Sequence, residues 1–403
     1  MSDLLIKSPR IFDGRDERLH EDAFVSIEGE RIVALGRQSE LGQEQVQAHR
    51  EVIELGPDTT LMPGLINMHT HMSFSGDARV YENAVEDSVA LKMIRIVQNL
   101  QAALASGVTT IRDCGTLPEL ALPTREAVAQ GVLIGPRVVV SGAITTTGGH
   151  CWFCATEADS EDEIRKAVRA HVKQGVDFIK LFATGGNTTP GSNALVAQYT
   201  LEQMCAATEE ARKAGRRSAA HAHALDGCRN SIAARVTTVE HCSFQSEAGI
   251  GWDEDLVDEL VRHQIHVCPT VFRGMSKLLD EPGFEPTPKQ RRALDVRKQR
   301  LDLVRHLYEK GVKLVSGNDA GVAYCSFSDF PSDLVLTARG CSIPAVDVLR
   351  SATSVAAEAL GRTELGTLAA GQAADLLAVS GDPLQDIEAV TRPRLVVAAG
   401  RVI

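Results

Sequence analysis

The sequence predicts an α/β fold: a (β/α)8 TIM barrel with a small β-sandwich domain formed from both termini. Three observations carry this reading. Between residues 60 and 360, short apolar β-branched runs alternate with helical stretches, the pattern of parallel strands joined by helical crossovers. Returns from helix to strand are tight while the loops from strand to helix are long, as in a barrel that gathers its site-building loops on the C-terminal face. The two ends read instead as short strands and turns, the signature of a separate β layer.

Taken in order, the barrel strands fall at Leu61–His69, Val108–Cys114, Arg137–Gly142, Phe178–Ala183, Ser218–His223, Thr237–Cys242, His266–Pro269 and Lys313–Gly317. Helices separate them, most clearly at Glu82–Ala105, Glu161–Gln174, Leu201–Ala214, Asp253–His263, Pro288–Lys310 and Pro344–Leu360. Eight such units favour closure over a doubly wound open sheet. Glycine-bearing joins at Ser106-Gly107, Gln174-Gly175 and Lys310-Gly311 contrast with long loops at Ala143–Ser160, Thr184–Thr200 and Val271–Thr287. Within the last of these, Glu281–Pro288 carries three prolines and two acids, which reads as a rigid surface excursion or a lid. Residues 59–358 therefore form the expected barrel, and residues 1–58 with 359–403 the composite sandwich.

Composition narrows the function. With 44% hydrophobic and 24% charged residues, the chain is an ordinary globular one rather than disordered, collagenous or coiled-coil. Lys+Arg 42 against Asp+Glu 53 leaves a net charge of −11, which argues against an electrostatic grip on nucleic acid. No run approaches the ~18 apolar residues of a membrane span, and Met1-Ser2-Asp3-Leu4 opens without a signal-peptide pattern. Nine scattered cysteines, an odd number, read as reduced thiols. The expectation is a cytoplasmic enzyme acting on a small molecule.

The chemistry sits at strand ends. In Pro63-Gly64-Leu65-Ile66-Asn67-Met68-His69-Thr70-His71 the two histidines alternate along one strand, so both face the same way and can share one ion. Lys180 lies inside the apolar run Phe178-Ile179-Lys180-Leu181-Phe182, where an ammonium is costly to bury alone. A second His-x-His, His221 and His223, ends strand five; His241 ends strand six; Asp319 ends strand eight. Five strand ends bearing ionisable groups on the catalytic face of a barrel make a site.

These residues resemble the metal-dependent amidohydrolase superfamily. The likeness spans nearly the whole chain, including the ending Leu365-Gly366-Thr367-Leu368 and Gly371-Gln372-Ala373-Ala374-Asp375-Leu376. The run Asp177-Phe178-Ile179-Lys180-Leu181-Phe182-Ala183-Thr184-Gly185-Gly186 is similar to the branch of imidazolonepropionases, Xaa-Pro and Xaa-Arg dipeptidases and ochratoxin-hydrolysing enzymes, its dipeptidase-like members in particular. The resemblance implies two divalent ions. His69, His71 and Asp319 match the ligands of one, His221 and His241 those of the other, and Lys180 the lysine that CO2 converts to a bridging carbamate. Zinc is the default from the nitrogen and oxygen ligands, with manganese, cobalt, iron and nickel as alternatives. It further implies hydrolysis of an amide C–N bond by a metal-bridging hydroxide, with Asp319 as general base and then acid. His223 would steady the oxyanion, although periodicity alone leaves open whether His221 or His223 holds metal. A homo-oligomer is the family-level expectation.

Two further residues are candidates for substrate binding. His150, in Thr145-Thr146-Thr147-Gly148-Gly149-His150, and Tyr199, in Gln198-Tyr199-Thr200, match substrate-facing positions; a loop histidine and a packing tyrosine are the plain alternatives. Cys151-Trp152-Phe153-Cys154 lacks both the context of a redox motif and the second ligand pair of a zinc knuckle. The leading substrate is a dipeptide or N-acyl amino acid. A cyclic amide on the same metals is the alternative, and a non-catalytic scaffold a third. A carboxylate-binding group facing the metals favours the first, a closed, flat, polar pocket the second.

Overall fold

The computed structural model describes residues 3–280 and 283–403. Its centre is a parallel sheet whose strands run in chain order: Leu65–Thr70, Val108–Asp113, Arg137–Thr145, Phe178–Phe182, Arg217–Ala224, Thr238–Ser246 and His266–Cys268. The eighth stave, at residues 313–320, pairs through isolated bridges rather than a regular ladder. Leu314 bridges Val267 and Ala320 bridges Thr70. Val315 N donates to Val267 O on one side, Met68 N to Ser316 O on the other, each at 2.9 Å. The ring is thereby closed. Gly317 makes this seam fit, because a Cβ there would lie 2.7 Å from both His69 N and Cys268 Sγ.

The expected Leu61–His69 strand divides at Gly64. Leu65–Thr70 enters the barrel, while Thr59–Pro63 joins the sheet built by the chain ends. That sheet pairs Thr59–Pro63 antiparallel with Leu376–Ser380 and touches Leu4–Ile11 in parallel at Leu61. Its core of Leu4, Ile6, Val25, Ile27, Leu61, Leu376 and Val397 is buried. Both termini are thus woven into one β layer beside the barrel.

Local signals explain the helices that match expectation. Ser160 caps Glu161–Gln174 in a reciprocal box with Glu163, and Gly175 at φ 94° stops it. Thr200 and Gln203 do the same for Leu201–Lys213. The expected Glu82–Ala105 helix is two, Val80–Glu86 and Val89–Ala105, because Ser88 adopts an extended backbone and caps the second. Pro344–Leu360 likewise breaks at Thr353, giving Ala345–Ser351 and Ser354–Leu360. In the segment read as an excursion or lid, Glu281 and Pro282 lie outside the described residues. The remainder leads into the helix Pro288–Glu309. Among the described residues, no helix is long and apolar enough to cross a membrane.

Candidate metal centre

Alternation along the fourth strand turns Phe178, Lys180 and Phe182 to one face. Lys180 is 0% exposed; its Nζ has no hydrogen-bond partner and lies 5.2 Å from the centre of the Phe182 ring. Around it the strand ends converge. Asp319 Oδ1 is 3.3 Å from His69 Nε2 and 3.2 Å from His71 Nε2. His221 and His241 stand with ring centres 4.4 Å apart, and His69 and His241 with ring centres 5.0 Å apart. Two overlapping groups, His69–His241–Asp319 and His221–His223–His241, each bring their ligand atoms within 4.8 Å of one another.

The backbone bends to achieve this. His241 and Asp319 sit at φ 65° and 63°, and Thr270 at φ 48°. Left-handed non-glycine residues of this kind are strained and gather at functional sites, His and Asp tolerating them better than most. Glycine has a part too: a Cβ at Gly115 would meet His71 Nδ1 at 2.6 Å.

Four of the imidazoles have one ring nitrogen hydrogen-bonded. His69 Nδ1–H donates to Glu240 Oε2 at 2.8 Å, and His221 Nε2–H to Gly185 O at 3.2 Å. His241 Nδ1 pairs with Thr270 Oγ1 at 2.7 Å, His223 Nδ1 with Ser243 Oγ at 3.0 Å. Such outer partners fix ring orientation and leave the other nitrogen for a ligand. Burial, aided by the Lys180 charge, lowers His69 to about 4. Burial and the neighbouring imidazoles push His221 and His241 well down, and burial with Arg300 takes His223 to about 3. These four rings are neutral with lone pairs available. For His71, burial opposes the charge but the Asp319 carboxylate outweighs it, so its pKa rises. Asp319 is held well below the usual carboxylate range: burial would raise it, and His69, His71 and Lys180 overcome that. Buried atoms left without hydrogen bonds here include Lys180 Nζ, His69 Nε2 and Asp319 Oδ1. That is a donor set suited to a cation.

Against this geometry, residues 60–403 match the amidohydrolase family. The chain belongs to the amidohydrolase family. It is accordingly a hydrolase of carbon–nitrogen amide bonds, in a family that generally uses divalent metals. Ochratoxinase from Aspergillus niger is 25% identical over 428 residues, covering 97% of this chain and 84% of that one. The structure of a Xaa-Pro dipeptidase with bound methionine in its active site superposes with a TM-score of 0.86 at 27% identity, covering 99% of both chains. A prolidase complexed with N-methylphosphonate-L-proline gives 0.84 at 26%, again over 99% of both.

The enzyme brings together all the histidines singled out from its sequence. His150 is buried with its ring 4.7 Å from that of His221 and its Nδ1 without a hydrogen bond. With His223, it lines a cavity of about 400 Å3 that opens over Asp319 and is walled by Phe74, Phe182 and Phe272. Tyr199 is the correction. It is buried in the hydrophobic core, its hydroxyl donating to Ala158 O at 2.8 Å, so it packs the fold and does not face the cavity. Cys151 and Cys154 are free, buried thiols.

Several contributors escaped the sequence reading. Glu240 joins His69 to Arg112, whose Nη2 lies 2.6 Å from Glu240 Oε1, and both are buried. The signal was an acid within an apolar strand, one residue before His241. Thr270 and Ser243 gave no signal, since hydroxyl residues are common in loops and strands.

Proposed function

We propose that the protein is a metal-dependent hydrolase that cleaves the amide bond of a dipeptide-like or N-acyl amino acid substrate. One observation carries the reading: a fully buried lysine amine without a hydrogen bond, set among neutral imidazoles and an ionised aspartate. A buried ammonium with no partner costs the fold several kcal/mol. Carboxylation by CO2 turns the same side chain into an anionic oxygen ligand.

On this reading His69, His71 and Asp319 would hold one divalent ion and His221 and His241 a second, with carboxylated Lys180 as a further oxygen ligand. Zinc suits the nitrogen and oxygen donors. When bound, the ions supply Lewis acidity: a water acidified towards pH ~7 and a polarised carbonyl. The chain's own groups do the rest. Asp319 accepts the proton of the attacking water and returns it to the leaving nitrogen. His223 and His150 line the cavity; on this reading His223 would hold the carbonyl oxygen and His150 the substrate. The aromatic wall of Phe74, Phe182 and Phe272 keeps the reacting bond dry and accepts an apolar acyl group or side chain.

Ochratoxinase, a Xaa-Pro dipeptidase and a prolidase, similar in sequence or structure, support the reading, while two deaminases at 23% identity also match. The test is metal analysis of the purified protein together with a screen of dipeptides and N-acyl amino acids in the presence of zinc. Bound transition metal and turnover are expected. Protein that binds no metal and cleaves none of these amides overturns the proposal.

A further inference from the structure

Arg300 projects from the helix Pro288–Glu309 into the same cavity as Asp319 and His223. Its Nη2 donates to Pro269 O at 2.6 Å and to Thr270 Oγ1 at 3.1 Å. Thr270 in turn holds His241 at 2.7 Å. The guanidinium is thus fixed two hydrogen bonds from the ring of a candidate ligand. Among the described residues its Nε and Nη1 make no hydrogen bond and no carboxylate lies within ion-pair distance, the charge of Asp319 reaching it only through the cavity. Arginine presents its donors in a planar fork that fits a carboxylate bidentately, and a partly desolvated cation without a counter-ion is unfavourable until an anion arrives. Among the residues that line the cavity Arg300 is the one lysine or arginine; beside the aromatic and aliphatic wall, Glu82, Asn187 and Thr188 add polar groups.

Resting on the hydrolase reading above, we infer that Arg300 binds the free carboxylate of the substrate. The enzyme would then cleave the amide nitrogen of a terminal amino acid and discriminate against substrates whose carboxylate is capped. The inference concerns specificity: Thr270 aims the guanidinium, and the carboxylate anchors the leaving amino acid so that the scissile carbonyl lies at the candidate metals.

The test compares an N-acyl amino acid that the enzyme turns over with its C-terminal primary amide, in wild type, Arg300→Gln and Arg300→Lys. The wild type should prefer the acid by about 10- to 100-fold in kcat/KM, the range of a hydrogen-bonded charge. Arg300→Gln should collapse that preference towards unity, chiefly through KM, with metal content retained; Arg300→Lys should keep part of it. Calorimetry should show the product amino acid, and not its amide, binding wild type more tightly than Arg300→Gln. A wild type that cleaves acid and amide equally overturns the inference, as does a loss in Arg300→Gln that falls equally on both. Those results leave the hydrolase reading standing, whereas absence of any amide turnover removes that reading and this inference with it.

Discussion

His69 and Glu240 meet through a 2.8 Å hydrogen bond inside the barrel, and the other oxygen of Glu240 is 2.6 Å from Arg112. The acid therefore serves two partners, orienting an imidazole and neutralising a buried guanidinium. Burial opposes its charge, and Arg112 with His69 holds its carboxyl well below the usual range. Glu240→Gln removes the charge but keeps the shape. Leaving Arg112 uncompensated should cost about 3–5 kcal/mol, and metal affinity should fall about 10- to 100-fold. Urea denaturation and metal titration measure the two effects separately.

Lys180 should respond with opposite signs in the two states. In metal-free protein its amine is buried without a hydrogen bond, so Lys180→Met should be neutral or raise the melting temperature. In protein prepared with zinc the same change should remove at least one metal equivalent and abolish turnover. A variant that keeps full metal and activity would exclude a bridging role.

The choice between His221 and His223 can be read from metal content. Both rings come within reach of His241. His221→Asn should lower bound metal and activity together. His223→Asn should keep the metal and lower kcat by about 100-fold or more, the scale of a lost oxyanion donor. The reverse pattern would exchange their roles.

His266 offers a pH test remote from the cavity. It is buried with neither ring nitrogen hydrogen-bonded, and burial, opposed by the Glu358 carboxylate 3.9 Å away and assisted by the charges of Lys313 and Arg217, takes it from its ordinary 6.5 to about 4. Between those two values the unfolded chain binds more protons than the native one. Stability is therefore intact above pH ~6.5 and falls as pH drops towards ~4, by up to about 3 kcal/mol from this group. His266→Leu should gain on the wild type as pH is lowered from ~7 to ~4.5, as followed by denaturant midpoints.

The sequence made the barrel legible because parallel strands and crossover helices write a repeating apolar code. The site was legible because ionisable residues at strand ends have no structural reason to be there. His241 shows where that reading stops. Alternation places it on the face opposite Glu240 and Thr238, and only its left-handed backbone, φ 65°, brings the ring into the cluster. No letter encodes that turn. Glu240 was hidden for the converse reason: its partners, His69 and Arg112, lie 171 and 128 residues away. Tyr199 misled because its neighbourhood in sequence, a loop at the barrel mouth, differs from its neighbourhood in space.

The strand Thr59–Pro63 is held by Leu376–Ser380, some three hundred residues downstream, and passes through the single residue Gly64 into the strand that bears His69. During synthesis, the antiparallel partner of Thr59–Pro63 becomes available only after residue 380 has been made. Closing so wide a loop is slow, and until it closes Thr59–Pro63 has only its contact with Leu4–Ile11 in that sheet. The support of the strand that bears His69 thus comes from a partner remote in sequence, which ties the shape of the catalytic face to a contact outside the barrel.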